Sequence, residues 1–485
     1  MMSHSEVAKA AWHGMIWRFL ERCSYQTVSL IVSIVLARLL LPEQYGIIAM
    51  TMIFITLSEV FVTSGLGSAL IQKSKYNEVE FSTMFWSSVV FSIILYAALF
   101  ILAPVIGSFM HTPALTPVLR VLGLRLPISA MNSIQQAYVS QQMIFKKFFF
   151  STLSGAIVSG IVGIIMAYAG MGVWALVAQN FSLTIVNTLV LHFIITWRPS
   201  FHFDFKAFKD LFGFGLRLML ASLIGTFFEQ FRGFLIGRNY QPQDLAFANR
   251  GELFPTALAS NIATSIQTVL FPAFAHLKDD KDYVKAALRR TLTMGSFIVV
   301  GLMVILAGVA DTFVHVILTD KWMKSVPYLQ WVCLGQCFSV LAAINLQTIT
   351  SMGRADITLK LEFIKKPFCL VILLICVTIS PLAVIIGSAF YGIIAFLVNA
   401  FPNKSLLHYG ALDQIRDIIS PFFCAVPVFG ILQFLQHIIP QTFISLVLES
   451  IVGALLYLFL GLIFRASGEK EIYCFVLNRI KNIKN

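Results

Sequence analysis

The chain has 485 residues, of which 58% are hydrophobic and only 12% are charged, and its formal net charge is +12. A soluble domain carries roughly 25% charged residues, so this composition excludes a water-soluble protein with an ordinary polar surface. Although a basic chain can bind nucleic acid, the positions of Lys and Arg indicate membrane topology instead, and no nucleic-acid partner is expected.

Apolar runs close to 20 residues long recur from one end of the chain to the other. A helix needs about 20 apolar residues to cross a bilayer, so these runs predict an all-α integral membrane protein with about fourteen transmembrane helices. The predicted spans are 14–40, 44–68, 81–108, 115–140, 149–170, 172–196, 211–238, 244–270, 287–312, 326–352, 357–379, 381–402, 417–437 and 441–464.

Lys and Arg are concentrated in alternate loops between these spans. One set of loops and ends includes Lys9, Lys73, Lys75, Lys146, Lys147, Arg198, Lys206, Lys209, Lys281, Lys285, Arg354, Lys404 and Arg416. The opposite loops carry Lys321 and Lys324, with Arg238 at a boundary. Because cytoplasmic loops are enriched in Lys and Arg, both chain termini of this multi-pass protein are predicted to be cytoplasmic.

Two short patterns recur about 200 residues apart. The stretch Leu36-Ala37-Arg38, followed by Pro42, matches Ile236-Gly237-Arg238, followed by Pro242, and the stretch that begins at Pro117 matches the one that begins at Pro327. These echoes predict two parallel six-helix lobes, with a substrate cavity between them and a rocking type of alternating access. The predicted organisation is a lobe at 1–200, a lobe at 201–410, two additional helices at 411–464 and a basic cytoplasmic tail at 465–485.

Charged side chains inside the predicted spans are the candidate functional residues. A charge at the middle of a membrane helix costs about 2.5–3.5 kcal/mol on insertion scales, so such residues usually face a wet cavity or a partner. The candidates for binding a phosphate-bearing substrate are Arg18, Arg22, Arg120, Arg125, Arg217, Arg232, Arg250 and Asn249. The candidates for coupling to an ion are Glu21, Glu59, Glu229 and Glu252.

A purely structural interpretation of these charges stays open. Arg18 with Glu21, and Glu229 with Arg232, are three residues apart and could neutralise each other on one helix face. Arg22 and Arg217 could extend to the membrane interface. No metal or cofactor is predicted, because the closest cysteine pair, Cys333 and Cys337, has no His or second Cys pair nearby.

The stretches Val32–Gly46, Gly65–Gln72, Gly172–Val177, Ala248–Arg250 and Asp320–Trp322 together resemble the polysaccharide transporter, or oligosaccharide flippase, family. That family belongs to the multidrug/oligosaccharidyl-lipid/polysaccharide superfamily. The resemblance implies a V-shaped fold of two six-helix bundles with two further helices. It also implies export of undecaprenyl-diphosphate-linked oligosaccharide across the bacterial inner membrane, with membrane lipids and a polysaccharide assembly machinery as further partners.

Two other functions are considered. A drug or cation antiporter of the same superfamily would favour about twelve helices and an acidic site in an apolar cavity. A membrane polysaccharide polymerase would need acid and base groups in a large loop. The external-side candidates for such groups are His111, Asp311, His315 and Asp320, which lie in short loops. The chain is therefore predicted to be a transporter rather than an enzyme.

Overall fold

The computed structural model describes residues 4–72, 77–276, 280–464 and Gly468. Those residues form helices joined by short turns, and no strand occurs within them. The predicted tail at 465–485, apart from Gly468, lies outside the described residues, as do Lys73 and Lys75. The chain divides into two compact units, Met1–Ala246 and Phe247–Asn485.

The first unit contains α1 to α9 and the beginning of α10. Their bounds are α1 His4–Leu39, α2 Pro42–Thr63, α3 Leu66–Gln72, α4 Glu78–Phe109, α5 Leu115–Gly123, α6 Arg125–Gln141, α7 Lys146–Tyr168, α8 Val173–Ile194, α9 Phe205–Asn239 and α10 Pro242–His276. Within this unit α8 packs against α6 and α7, and α2 packs against α6 and α9.

The second unit contains the rest of α10 and all later helices. Their bounds are α11 Lys281–Gly308, α12 Ala310–Ile317, a 3-10 helix Asp320–Ser325, α13 Val326–Ser351, α14 Ala355–Cys376, α15 Pro381–Ala400, α16 Asn403–Leu407, α17 Ala411–Ile438 and α18 Phe443–Phe464. Here α11 packs against α13 and α17, and α18 packs against α11, α12 and α17.

Each of the fourteen predicted spans coincides with a helix or with two successive helices. Among the described residues, 11 helical stretches are long and apolar enough to cross a membrane. The predicted spans that do not meet this criterion correspond to the short helices α5 and α6, to the polar α10 and to the Lys-rich α14. The all-helical fold class is therefore confirmed, whereas the number of membrane crossings stays a prediction.

The two matching Pro patterns begin equivalent helices. Pro42 is the first residue of α2 and Pro242 is the first residue of α10. At the first joint the Gln44 side chain accepts a hydrogen bond from the Leu41 N–H at 3.0 Å, and at the second Asp244 accepts one from the Gln241 N–H at 3.1 Å. A side chain three residues into each helix thus caps its N-terminus, where Pro needs no N–H partner.

A second equivalence involves the starts of α5 and α13. Arg120 Nε donates to the Phe100 carbonyl of α4 at 3.3 Å. Its counterpart in the second pattern, Gln330, donates through Nε2 to the Ala307 carbonyl of α11, also at 3.3 Å. The repeated sequence therefore forms the same kind of contact in each unit, between a helix start and the preceding long helix.

Candidate functional site

A polar cavity of about 300 Å³ lies inside the first unit. Its lining is drawn from α2, α6 and α8. The lining residues are Glu59, Thr63, Arg125, Ser129, Asn132, Ser133, Gln136, Leu183, Thr184 and Asn187. We call this space the Glu59–Arg125 cavity. Hydroxyl, amide and charged groups thus surround a space within a bundle whose outer surface is apolar.

The two charged side chains of this cavity form an ion pair. Arg125 Nε lies 3.0 Å from Glu59 Oε1, and the two side chains are only 17% and 18% exposed. The Ser129 hydroxyl donates to the same carboxylate oxygen at 3.0 Å. Because a guanidinium has five N–H donors in a planar fork, this contact uses only part of the binding capacity of Arg125. The remaining donors suit an anionic group that enters the cavity.

The positions of these side chains follow from local sequence. The helix is interrupted at Leu124, between α5 and α6, so Arg125 is the first residue of α6. Ser129, Asn132 and Gln136 follow at helical spacing, so they lie on one face of α6. Gln136 Nε2 donates to Asn132 Oδ1 at 3.1 Å, which fixes both amides beside the cavity.

A second, smaller polar cavity of about 180 Å³ adjoins the first through the shared residue Leu183. It is lined by Tyr25, Ser29, Val32, Ser33, Tyr45, Ala156, Ser159, Gln179, Asn180 and Leu183. Ser29 and Ser33 are four residues apart on α1 and therefore form a polar face of the first predicted span. The polar faces of the first and fourth spans therefore line neighbouring cavities of the same unit.

Two of the predicted arginines lie elsewhere and have local partners. Arg18 Nη1 pairs with Glu21 Oε2 at 3.1 Å, and its guanidinium lies 4.0 Å from the centre of the Phe148 ring. Arg120 lies 4.4 Å from the Phe100 ring centre, on the side of α4. The structural interpretation, which the sequence left open, describes these contacts well.

The remaining candidates fall outside the two cavities. Arg250 is 7% exposed, and its guanidinium lies 5.2 Å from the ring centre of Trp322. The others differ in exposure: Arg22, Arg217, Glu229 and Asn249 are exposed, whereas Arg232 and Glu252 are half-buried. Among the described residues, the predicted set therefore contributes Arg125 and Glu59 to the cavities.

Sequence reasoning missed the contribution of α8. Asn180, Thr184 and Asn187 line the two cavities, and their spacing of four and three residues puts them on one helix face. This polar face within an apolar span was a usable signal. The prediction rested on charged residues, whereas neutral amides and hydroxyls form most of the lining.

Comparison with known sequences identifies the family. A family described as "Polysaccharide biosynthesis protein" matches residues 35–327. The chain belongs to this family. The teichuronic acid biosynthesis protein TuaB of Bacillus subtilis is 25% identical over 417 residues, which cover 83% of this chain and 85% of that protein. The lipopolysaccharide biosynthesis protein WzxC of Escherichia coli is 23% identical, with 85% of each chain covered.

Comparison with solved structures identifies the fold. An inward closed conformation of the lipid II flippase MurJ matches with a TM-score of 0.73 at 15% identity, over 93% of this chain and 99% of that one. An inward-facing multidrug resistance MATE family transporter matches with a TM-score of 0.61 at 15% identity, over 80% and 96%. The chain is thus a multi-pass membrane protein with a fold of the superfamily that the sequence predicted.

Proposed function

We propose that the protein is a transporter that flips lipid-linked oligosaccharide, carried on undecaprenyl diphosphate, across the bacterial inner membrane for the assembly of a surface polysaccharide. Family membership supports this function. So do the names of two relatives, which concern teichuronic acid and lipopolysaccharide biosynthesis. Membrane lipids and the assembly machinery are its further partners, and both termini are cytoplasmic.

The observation that carries the proposal is the chemistry of the Glu59–Arg125 cavity. Amide and hydroxyl groups such as Asn132, Gln136 and Asn187 can donate to and accept from sugar hydroxyls. The Arg125 guanidinium can bind a phosphate oxygen through two parallel N–H bonds. Substrate phosphate would compete with Glu59 for Arg125, which gives the site one arrangement when it is empty and another when it is loaded.

The chain acts as a transporter and not as an enzyme. Alternating access of two six-helix lobes would expose the site to each side in turn. A drug or cation antiporter has the same fold, and the acid Glu59 suits a cation. However, the ion pair with Arg125 leaves this cavity no net negative charge, so it attracts an organic cation poorly.

The test is flipping of a fluorescent undecaprenyl-diphosphate oligosaccharide in proteoliposomes. In the variant Glu59→Gln/Arg125→Gln no buried charge remains unpaired, yet the phosphate-binding cation is lost. A lost charge-assisted hydrogen bond costs about 1.5–3 kcal/mol, so flipping should fall by about 10- to 100-fold at low substrate concentration.

The matched control is Arg120→Gln, which removes a cation from the helix preceding α6 but not from the cavity. It should flip lipid at close to the wild-type rate. Equal losses in both variants would refute the role of Arg125, and cation efflux without lipid flipping would favour the antiporter.

A further inference from the structure

A buried carboxyl group in the second unit has no role in the proposed site. Glu449 lies on α18, one of the most apolar helices of the chain, and is only 1% exposed. Its Oε1 lies 3.4 Å from the Thr312 hydroxyl of α12. Its Oε2 is buried and has no hydrogen-bond partner among the described residues. Such an orphaned oxygen is rare, since buried polar atoms are nearly always paired.

Among the described residues, the helices packed against α18 pair no Lys or Arg side chain with this carboxyl group. From α12 the titratable groups are Asp311, which acts on Glu449 electrostatically, and His315. From α17 come the neutral amide of Gln436, whose Nε2 donates to the Gly308 carbonyl, and the exposed His437. The adjoining end of α11, residues 301–308, has no titratable side chain, and among the described residues no Lys or Arg pairs with Glu449.

A bound metal ion fits this site poorly. A hard cation needs several oxygen ligands. The Gly308 carbonyl, which could serve as one, already accepts hydrogen bonds from Gln436 Nε2 at 2.6 Å and from Gln433 Nε2 at 3.1 Å. A proton, unlike a metal ion, can bind to this carboxyl group without further oxygen ligands.

Ionisation of Glu449 in this position would be costly. A carboxylate without a cation in the low-dielectric interior is strongly disfavoured, and the usual response is to bind a proton. Protonation adds H⁺ to Oε2 and gives a neutral acid, and release restores the carboxylate. We propose that Glu449 is a proton-binding residue of the transport cycle, loaded from the external side of the membrane. The proposal rests on the proposed transport function.

A route for the proton is present at the same end of the unit. Asp311 and His315 are four residues apart and therefore lie on one face of α12. His315 Nδ1 is 2.5 Å from Asp320 Oδ1, and Asp320 is exposed. In the proposed orientation this end faces outward, so Asp320, His315 and Asp311 are the titratable groups through which a proton would pass from solvent towards Glu449. Asp311, His315 and Asp320, which the polymerase alternative would assign to acid and base chemistry, would instead serve proton entry.

Two measurements on proteoliposomes test the proposal. Wild-type flipping should accelerate when the external side is made acidic, and Glu449→Gln, which is permanently neutral, should lose that acceleration. The infrared band of a protonated carboxyl group should titrate with external pH in the wild type and disappear in Glu449→Gln. The control Glu43→Gln makes the same change at an exposed residue that is external in the proposed orientation and should change neither result.

The outcomes separate the two proposals. If Glu449→Gln keeps both the acceleration and the titrating band, the proton role of Glu449 is refuted, whatever the substrate. If the wild type flips no oligosaccharide but its band titrates and depends on Glu449, the transport proposal fails and the proton site stands. Should Glu449→Gln fail to fold, Glu449→Asp, which retains a shorter carboxyl group, must shift the band, and an unshifted band refutes the proposal.

Discussion

The two units differ in the side-chain contact that links a pair of equivalent helices. In the first, α2 and α6 are joined by the ion pair of Glu59 and Arg125 beside an open polar cavity. In the second, the corresponding α10 and α13 are joined by a neutral hydrogen bond at 3.0 Å, from Gln336 Nε2 to the Thr256 hydroxyl. Equivalent positions of the two units thus carry a charged pair in the first and neutral groups in the second.

Both units hold an apolar cavity, of about 510 Å³ in the first and about 470 Å³ in the second, but the two polar cavities described above lie in the first unit. The second unit holds a cavity of about 470 Å³ whose lining includes Val300, Cys333 and Phe422 and is mainly apolar. Elsewhere in the second unit, buried amides bond to each other. Asn345 Nδ2 donates to Gln414 Oε1 at 2.8 Å, and Asn403 Nδ2 donates to Asn345 Oδ1 at 2.7 Å. Polar groups that satisfy one another stabilise the fold, whereas those that line open space are available to a ligand. We therefore expect substrate binding to be concentrated in the first unit.

The strongest test of this contrast is to remove one member of the ion pair. Arg125→Met keeps much of the side-chain volume but leaves the Glu59 carboxylate without its cation. Breaking a buried pair in this way costs about 3 kcal/mol or more of unfolding free energy. The measurement is denaturant unfolding in detergent, compared with the wild type.

The control for this change is Glu59→Gln/Arg125→Met, in which both charges are gone. We expect its stability to return to within about 1 kcal/mol of the wild type, because no unpaired charge remains. If the single and double variants are equally unstable, the effect comes from packing around Arg125, and the pair has no special electrostatic role.

A second test addresses the amide network of the second unit. Asn345→Leu removes the donor that bonds to Gln414 Oε1 and the acceptor that bonds to Asn403 Nδ2. All three side chains are fully buried. Each unsatisfied buried group costs about 1–3 kcal/mol, so the total loss of unfolding free energy should be about 2 kcal/mol or more. Flipping per folded molecule should stay near the wild-type rate.

The matched control is Asn249→Leu, since Asn249 is exposed. A surface change of this kind should alter the unfolding free energy by less than about 0.5 kcal/mol. A loss of flipping by Asn345→Leu at normal protein yield would mean that the network takes part in transport, which would weaken the contrast between the units.

Much of the fold could be predicted from sequence because hydrophobic length and Pro positions determine it locally. Pro42 and Pro242 mark helix starts that the structure has at those residues. The division of the predicted span 115–140 into α5 and α6 was missed, although Gly123 and Pro127 flank the interruption and Pro127 has no N–H to donate to the Gly123 carbonyl. The spans were located by hydrophobic length, which does not show how a helix breaker is accommodated in the packed structure.

The candidate site could be predicted only in part, for a related reason. A charge in an apolar span signals that it has a partner or a cavity, but not which of the two. Arg18 and Arg125 look alike in sequence, yet one pairs with its helix neighbour Glu21 and the other with Glu59 of a different helix. Glu449 is also an acid within an apolar span, but it was not among the predicted ion-coupling residues, and only the structure shows that it is buried.

The smallest expected effect concerns Arg250, the buried arginine of the second unit. Its guanidinium packs on the face of Trp322, which is completely buried. Arg250→Lys keeps the positive charge but loses the planar stacking on the ring, which should lower the unfolding free energy by about 1 kcal/mol. The same loss is expected for Trp322→Phe, because a smaller ring attracts a cation less strongly.

The double variant separates a structural role of Arg250 from a role in substrate binding. If the two residues act as a unit, Arg250→Lys/Trp322→Phe should be less destabilised than the sum of the single variants, because the shared contact can be lost only once. Flipping per folded molecule should be unchanged in all three proteins. A tenfold fall in flipping by Arg250→Lys at near-normal stability would instead assign this arginine to the substrate, and binding would then be shared between the units.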